Sequence, residues 1–363
     1  MPRCNSAGAR PATRRTLLKA ALRLGGLGAS AGLMALSRAT EATAAPYDPL
    51  ALPDWPLPAP LDLTVVDATR RREIPLRLFL PAVLPTTSDA AMPAPTAGPA
   101  PVVMFSHGLG STREGNPHLG RHWAGRGNAV VFMQHAGCDD PVWRGGPPAQ
   151  RMAALRAAAN LRNTLRRLQD VPTVINPLAR WPEQRGLALA GRLDLARLGM
   201  SGHSLGAVTT QAVSGQRNAQ GAAAFTDPRI RAAVVMSPNA PRQGQALAQA
   251  FGEVTLPWLL MTGTRDVAVV GDADLASRLA VYPALPAGGK YELVLDAAEH
   301  DAFGDYPLRP GQPARNPAHH PVILALSTAF WNAWLRGDAS ARAWLDGPQA
   351  RALLAPTDRW QRK

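Results

Sequence analysis

Cysteine is nearly absent from this chain: Cys4 and Cys138 are the two among 363 residues. That scarcity excludes a small scaffold stapled by disulfides. Lysine is almost as rare, at Lys19, Lys290 and Lys363, so the net charge of +13 is carried by arginine. The arginines are scattered, without a dense basic run interleaved with aromatics, which argues against nucleic acid as the main partner. Long apolar runs are missing too. The Gly/Ala/Leu stretch at 24–37 is 14 residues long, and a bilayer-spanning helix needs about 20. There is no Gly-x4-Gly-Lys-Ser/Thr phosphate loop. What is present is a 46% hydrophobic composition, enough to exclude a wholly disordered chain and to fill a large core.

The N-terminus reads Thr13-Arg14-Arg15-Thr16-Leu17-Leu18-Lys19, then a mildly apolar stretch, then Ala42-Thr43-Ala44. A basic region, an apolar region and a small-x-small site make a cleavable leader over 1–44. The arginine pair resembles the twin-arginine export signal. That resemblance implies passage through the twin-arginine export machinery and a periplasmic or secreted bacterial protein. Seven of the 39 basic residues and one of the 26 acidic ones lie in 1–44, so the remainder carries +7. Cys4 would leave with the leader, and Cys138 would have no partner within the chain. Cys138 reads as a bystander thiol.

Residues 45–60 are proline-rich and are expected to be extended. Alternating runs at 61–67 and 74–80 predict two strands. A Pro/Ala/Thr/Ser stretch between Pro81 and Pro101 reads as an exposed loop. Continuous apolar runs at 102–105, 129–133, 197–200, 230–236, 256–261 and 291–295 then predict strands buried on both faces, as in a parallel sheet. Helical segments separate them. The clearest spans 151–168, with Met152, Leu155, Ala159 and Leu165 on one face; another spans 322–335 and stops at Gly337. Strands alternating with helices make an α/β fold with helices on both faces of the sheet, in one domain over 61–363. The connections at 137–150 and 304–321 are expected to be irregular and to shape a ligand site.

Gly202-His203-Ser204-Leu205-Gly206 matches G-x-S-x-G between a predicted strand and a predicted helix at 207–213. That is the context of a nucleophile elbow, where glycines let the turn close and the helix N-terminus favours negative charge. A serine nucleophile needs a base held by an acid, and on this fold the order along the chain is Ser, Asp/Glu, His. Asp266 and His300 each follow a predicted strand and fit. Asp296 and Asp301 are the rival acids, both close in sequence to His300. Of the other histidines, His203 lies inside the elbow and His107 is expected to order the neighbouring loop. His118, His122, His135, His319 and His320 do not follow the acid at a strand end. The i,i+4 pair His118/His122 lacks the Glu of a zinc motif. The oxyanion donors are expected to be the backbone N–H groups of Leu205 and, in Ser106-His107-Gly108-Leu109-Gly110, Leu109.

These motifs, with Thr262-Gly263-Thr264-Arg265-Asp266, Glu299-His300-Asp301-Ala302-Phe303 and the segment 329–338, resemble the α/β-hydrolase group. That group contains dienelactone hydrolase-like proteins, bacterial polyester hydrolases and platelet-activating-factor acetylhydrolase-like esterases. The resemblance spans roughly residues 60–345 and implies an α/β-hydrolase fold and a serine esterase acting on small or polymeric esters without a cofactor or metal. An acyltransferase would use the same three residues. The chain departs from true dienelactone hydrolases, whose nucleophile is a cysteine, and from the many secreted polyester hydrolases that carry a disulfide. Ordinary ester hydrolysis is therefore the expected reaction.

Overall fold

The computed structural model describes residues 46–363, except Trp55 and the segments 83–97, 182–188, 242–244 and 306–313. The leader assigned to 1–44 and most of the 81–101 loop lie outside the described residues. Among the described residues nine strands form one sheet: β1 Leu61–Asp67, β2 Arg72–Phe79, β3 Ala100–Ser106, β4 Ala129–Met133, β5 Leu193–His203, β6 Ile230–Met236, β7 Trp258–Arg265, β8 Lys290–Glu299 and β9 Arg359–Arg362. Their spatial order is β1-β2-β4-β3-β5-β6-β7-β8-β9. Pairings from β4 through β8 are parallel, whereas β1–β2, β2–β4 and β8–β9 are antiparallel.

The continuous apolar runs are buried on both faces, as their lack of alternation requires. Val103 and Phe105 of β3 pack on one side with helices α1 Pro117–Gly125 and α9 His319–Leu335. Val102 and Met104 pack on the other with α4 Leu161–Arg180. On the first side Trp123, Phe330 and Trp331 are fully buried and meet edge to face. Burying one such side chain stabilises the fold by about 1.5–3 kcal/mol. In a third cluster, Ala207 and Val235 pack with Phe251 and Trp258, where α5 Leu205–Val213 and α6 Leu247–Phe251 lie.

The structure corrects several sequence expectations. The helix expected over 151–168 is two helices, α3 Arg151–Ala158 and α4, following α2 Pro141–Arg144. Asn160 breaks it by capping α4: its side chain accepts from the Asn163 N–H, an interaction that rewards a helix start over continuation. Leu165, placed on the apolar face, is exposed, and the face α4 buries runs through Asn163, Arg167, Leu168, Asp170 and Val171. Ala100 and Pro101, read as loop, begin β3. The connection 137–150 is not irregular throughout, since it holds α2 and a single 3-10 turn, Pro148–Gln150. Strand β9 was not foreseen. Its four residues cover the exposed edge of β8, with Trp360 stacked on Tyr291, which protects an otherwise open strand edge.

The proline-rich start is tied down. Asn332 Nδ2 donates to Tyr47 Oη, His122 Nε2 to the Pro49 carbonyl, and Arg126 to the Ala51 carbonyl. No described helix is long and apolar enough to cross a membrane.

Candidate active site

The strand order reverses near the middle of the sheet, where β3 lies between β4 and β5. In open α/β sheets, ligands bind beyond the carboxyl ends of the strands at such a reversal. Four strands end there on the residues of interest. His107 follows β3, Ser204 follows β5, Asp266 follows β7 and His300 follows β8.

Ser204 sits at φ 58°, ψ −116°, between β5 and α5. A non-glycine residue in that region is strained, by of order 1–3 kcal/mol, and stays there only where its surroundings dictate it. The flanking glycines are steric necessities. A Cβ on Gly206 would lie 1.8 Å from the Ser106 carbonyl oxygen, and one on Gly202 would lie 2.4 Å from the Gly206 oxygen. Ser204 Oγ is 2.9 Å from His300 Nε2, and His300 Nδ1 is 2.7 Å from Asp266 Oδ1. Nδ1 therefore carries the proton toward Asp266, and Nε2 accepts from the serine hydroxyl. Burial would push the Asp266 carboxyl up, but the hydrogen bond and charge of His300, with the nearby Arg278 guanidinium, hold it down at about 2. The Thr262 hydroxyl donates to its other oxygen at 2.9 Å. Asp296 points elsewhere, accepting from the Thr264 hydroxyl, and Asp301 follows His300 in a 3-10 turn. Asp266 is the carboxylate bonded to the imidazole.

Arg278, on α7 Leu275–Leu279, gave no signal in the sequence. It is buried, 3.0 Å from Asp266 Oδ1, and donates to the Asp266, Ser237 and Pro238 carbonyls. It so fastens the acid loop to the turn after β6. Its Nη2 lies 3.3 Å from His300 Nδ1. Both nitrogens are donors here, so this is a close approach of two N–H groups rather than a bond.

Leu205 N–H, in the first turn of α5, and Leu109 N–H have no hydrogen-bond partner among the described residues. Open first-turn N–H groups are where a helix binds anions. A Cβ on Gly108 would lie 3.4 Å from Ser204 Cβ, so the Gly108–Leu109 peptide abuts the serine. His107 orders this loop: its Nδ1 donates to the Gly108 carbonyl at 2.6 Å and its Nε2 accepts from His135 N–H at 3.0 Å. From outside, Trp143 of the 137–150 connection donates to the Gly110 carbonyl at 2.8 Å.

A second Ser–His–Asp chain lies beneath the loop. Ser106 Oγ is 2.9 Å from His135 Nε2, and His135 Nδ1 is 2.9 Å from Asp170 Oδ2. All three residues are fully buried, and Arg167 donates to Ser106 Oγ. Without access for a substrate, this chain is internal bracing. The remaining histidines are accounted for among core contacts. His203 lies against His300 with ring centroids 4.6 Å apart and planes tilted by 40°, His118 stacks on His320 at 4.5 Å, and His319 Nε2 donates to the Asp296 carbonyl. His118 and His122 do not form a metal pair, because His122 is spent on Pro49. Among the described residues no group of three His, Cys, Asp or Glu could hold a metal. Cys138 is buried, with Arg167 Nη1 3.2 Å from its sulfur.

Burial holds several histidines neutral. It pushes His203 down to about 3; with the Arg167 charge it pushes His135 to about 4 and His107 well below the usual range. The unfolded chain protonates these groups below about pH 6.5 while the folded one does not. Unfolding then takes up protons, and stability falls with falling pH by about 1.4 kcal/mol per pH unit for each such histidine. Asp266 and Asp170, both held at about 2, add a further loss below about pH 4. Melting temperature measured from pH 7 to pH 4 should drop steadily, and a flat profile would contradict these assignments.

No protein-family model matches the chain, and no curated protein matches it either. Solved structures do. A ferulic acid esterase from Streptomyces cinnamoneus superposes with a TM-score of 0.56 at 21% identity, over 86% of this chain and 99% of that one. The fold is α/β-hydrolase-like. At that identity the likeness concerns architecture, and the chemistry is argued from the residues themselves.

Proposed function

We propose that this protein is a serine carboxylic-ester hydrolase working through an acyl-enzyme. The observation that carries the reading is the continuous hydrogen-bond path from Ser204 through His300 to Asp266, at a strained strand-to-helix turn. Ser204 Oγ attacks the ester carbonyl while His300 Nε2 takes its proton. Asp266 keeps the imidazole oriented and stabilises its charged form. The Leu109 and Leu205 N–H groups receive the oxyanion, each worth about 3 kcal/mol. His300 then protonates the leaving alkoxide, and water activated by the same nitrogen cleaves the acyl-enzyme. The relay uses protein groups alone.

The neighbouring structure's description as a ferulic acid esterase makes hydroxycinnamate esters natural first substrates. The resemblances drawn from sequence add phospholipid-like esters and polyesters. The test is a set of p-nitrophenyl esters of rising acyl length with methyl ferulate and a polyester film, with and without an added alcohol. Hydrolysis of one class identifies the substrate, and transfer to the alcohol would mark an acyltransferase. Absence of turnover on every ester would overturn the reading.

We further propose export by the twin-arginine route, on the strength of Thr13–Lys19. Replacing Arg14 and Arg15 together by Lys should hold the precursor in the cytoplasm, and the exported protein should begin near Ala45. Unchanged periplasmic activity from the double variant would contradict the assignment.

A further inference from the structure

We propose that Arg167, on α4 and outside the Ser204–His300–Asp266 relay, is a positioning residue that sets the two oxyanion donors against each other. The inference rests on the esterase reading above. Its starting point is a guanidinium without solvent exposure whose hydrogen-bond partners include no carboxylate. They are Thr209 Oγ1 at 3.2 Å, Cys138 Sγ at 3.2 Å, Ser106 Oγ at 2.8 Å and the His107 carbonyl. A buried charge without a direct counter-ion is costly, and an apolar side chain of similar size would fill the space more cheaply. What the arginine offers that an apolar residue lacks is its rigid fork of donors.

The two sides of that fork lead to the two donors. On one side Nη2 fixes the His107 carbonyl, while the His107 ring fixes the Gly108 carbonyl through Nδ1 and is held by His135 N–H through Nε2. The Gly108 carbonyl and the Leu109 N–H belong to one trans peptide and point in opposite directions. Tethering that carbonyl therefore aims the N–H. On the other side Nε donates to the Thr209 hydroxyl, which donates in turn to the Leu205 carbonyl at 3.1 Å. Leu205 carries the second donor.

The buried Ser–His–Asp chain completes the brace. The Ser106 hydroxyl accepts from Arg167 and donates to His135, and His135 donates to Asp170. Arg72 grips that carboxylate with two bonds at 2.8 Å, and Arg70 adds one at 2.9 Å. Asp170 thus compensates the Arg167 charge only through two neutral links. The remaining positive potential lies behind the oxyanion site, where it favours the charged tetrahedral state over the neutral ester. The effect belongs in kcat rather than KM.

The experiment compares Arg167→Met, Arg167→Lys and Thr209→Val with the unaltered enzyme. It follows p-nitrophenyl ester hydrolysis, the rate of fluorophosphonate labelling and the affinity for a boronic acid that forms a tetrahedral adduct. Losing one donor's alignment should cost on the order of 10²-fold in kcat for Arg167→Met, with KM little changed. Arg167→Lys, a point charge that cannot span both arms, should fall between. Thr209→Val should lose about tenfold. Boronate affinity and labelling rate should fall by the same factors. Lowered melting temperature with unchanged kcat, labelling and boronate affinity would reduce Arg167 to a structural role and overturn the inference. Should Arg167→Met fail to fold, Thr209→Val decides alone. If the unaltered enzyme takes no label at Ser204, it is the esterase reading that fails; if it is labelled and the variants match it, only the role of Arg167 does.

Discussion

Ser204→Ala and His300→Ala will each lower ester turnover by on the order of 10⁶, with the melting temperature little changed. Alanine fits the elbow, because the turn is set by Gly202 and Gly206 and not by the hydroxyl. Without the hydroxyl there is no acyl-enzyme, and without the imidazole nothing takes the proton from an otherwise unreactive alcohol. The double variant should be no slower than either single one, because the residues act as a unit. What activity survives would come from the Leu109 and Leu205 N–H groups and from substrate binding, on the order of 10³–10⁴ over water. Additive losses would show that the two residues act independently and that the relay is misassigned.

Asp266→Asn will lower turnover by on the order of 10⁴. The reason is tautomeric. His300 Nδ1 now donates to Asp266 Oδ1 at 2.7 Å, leaving Nε2 free to accept from Ser204. An amide NH₂ facing the ring would favour the opposite tautomer, with Nε2 protonated and useless as a base. Arg278 would aggravate this, since its guanidinium would lose the adjacent carboxylate and remain 3.3 Å from the ring. Asp296→Asn and Asp301→Asn should leave turnover within a few-fold of the unaltered enzyme. Near-full activity in Asp266→Asn, with loss in one of the other two, would move the acid.

The strands at 61–67, 129–133 and 230–236 were legible to the residue, because they are uninterrupted β-branched or alternating runs bounded by turn residues. The positions of Ser204, Asp266 and His300 were legible as well, because each sits one residue past a strand, where this topology gathers side chains. What stayed hidden depends on partners far away in sequence. Strand β9 reads as a short polar tail, and only its pairing with β8 makes it a strand. The break at Asn160 turned on one capping bond. Arg167 and Arg278 look like solvated arginines on short or amphipathic helices. Their role arises from carbonyls and carboxylates brought to them by loops more than ten residues away, Asp266 and His107 among them. His135 precedes the acid in the chain, outside the order of this fold's relay, yet it bonds both Ser106 and Asp170 in a chain that imitates one.

That imitation makes one measurement decisive. A fluorophosphonate reacts with a serine that is both activated and reachable, and two serines here have a histidine and an aspartate behind them. Labelling followed by peptide mass spectrometry should place one adduct per chain on Ser204, none on the buried Ser106, and none anywhere in Ser204→Ala. An adduct on Ser106 or another serine, or an unlabelled protein that still turns over esters, would contradict Ser204 as the nucleophile.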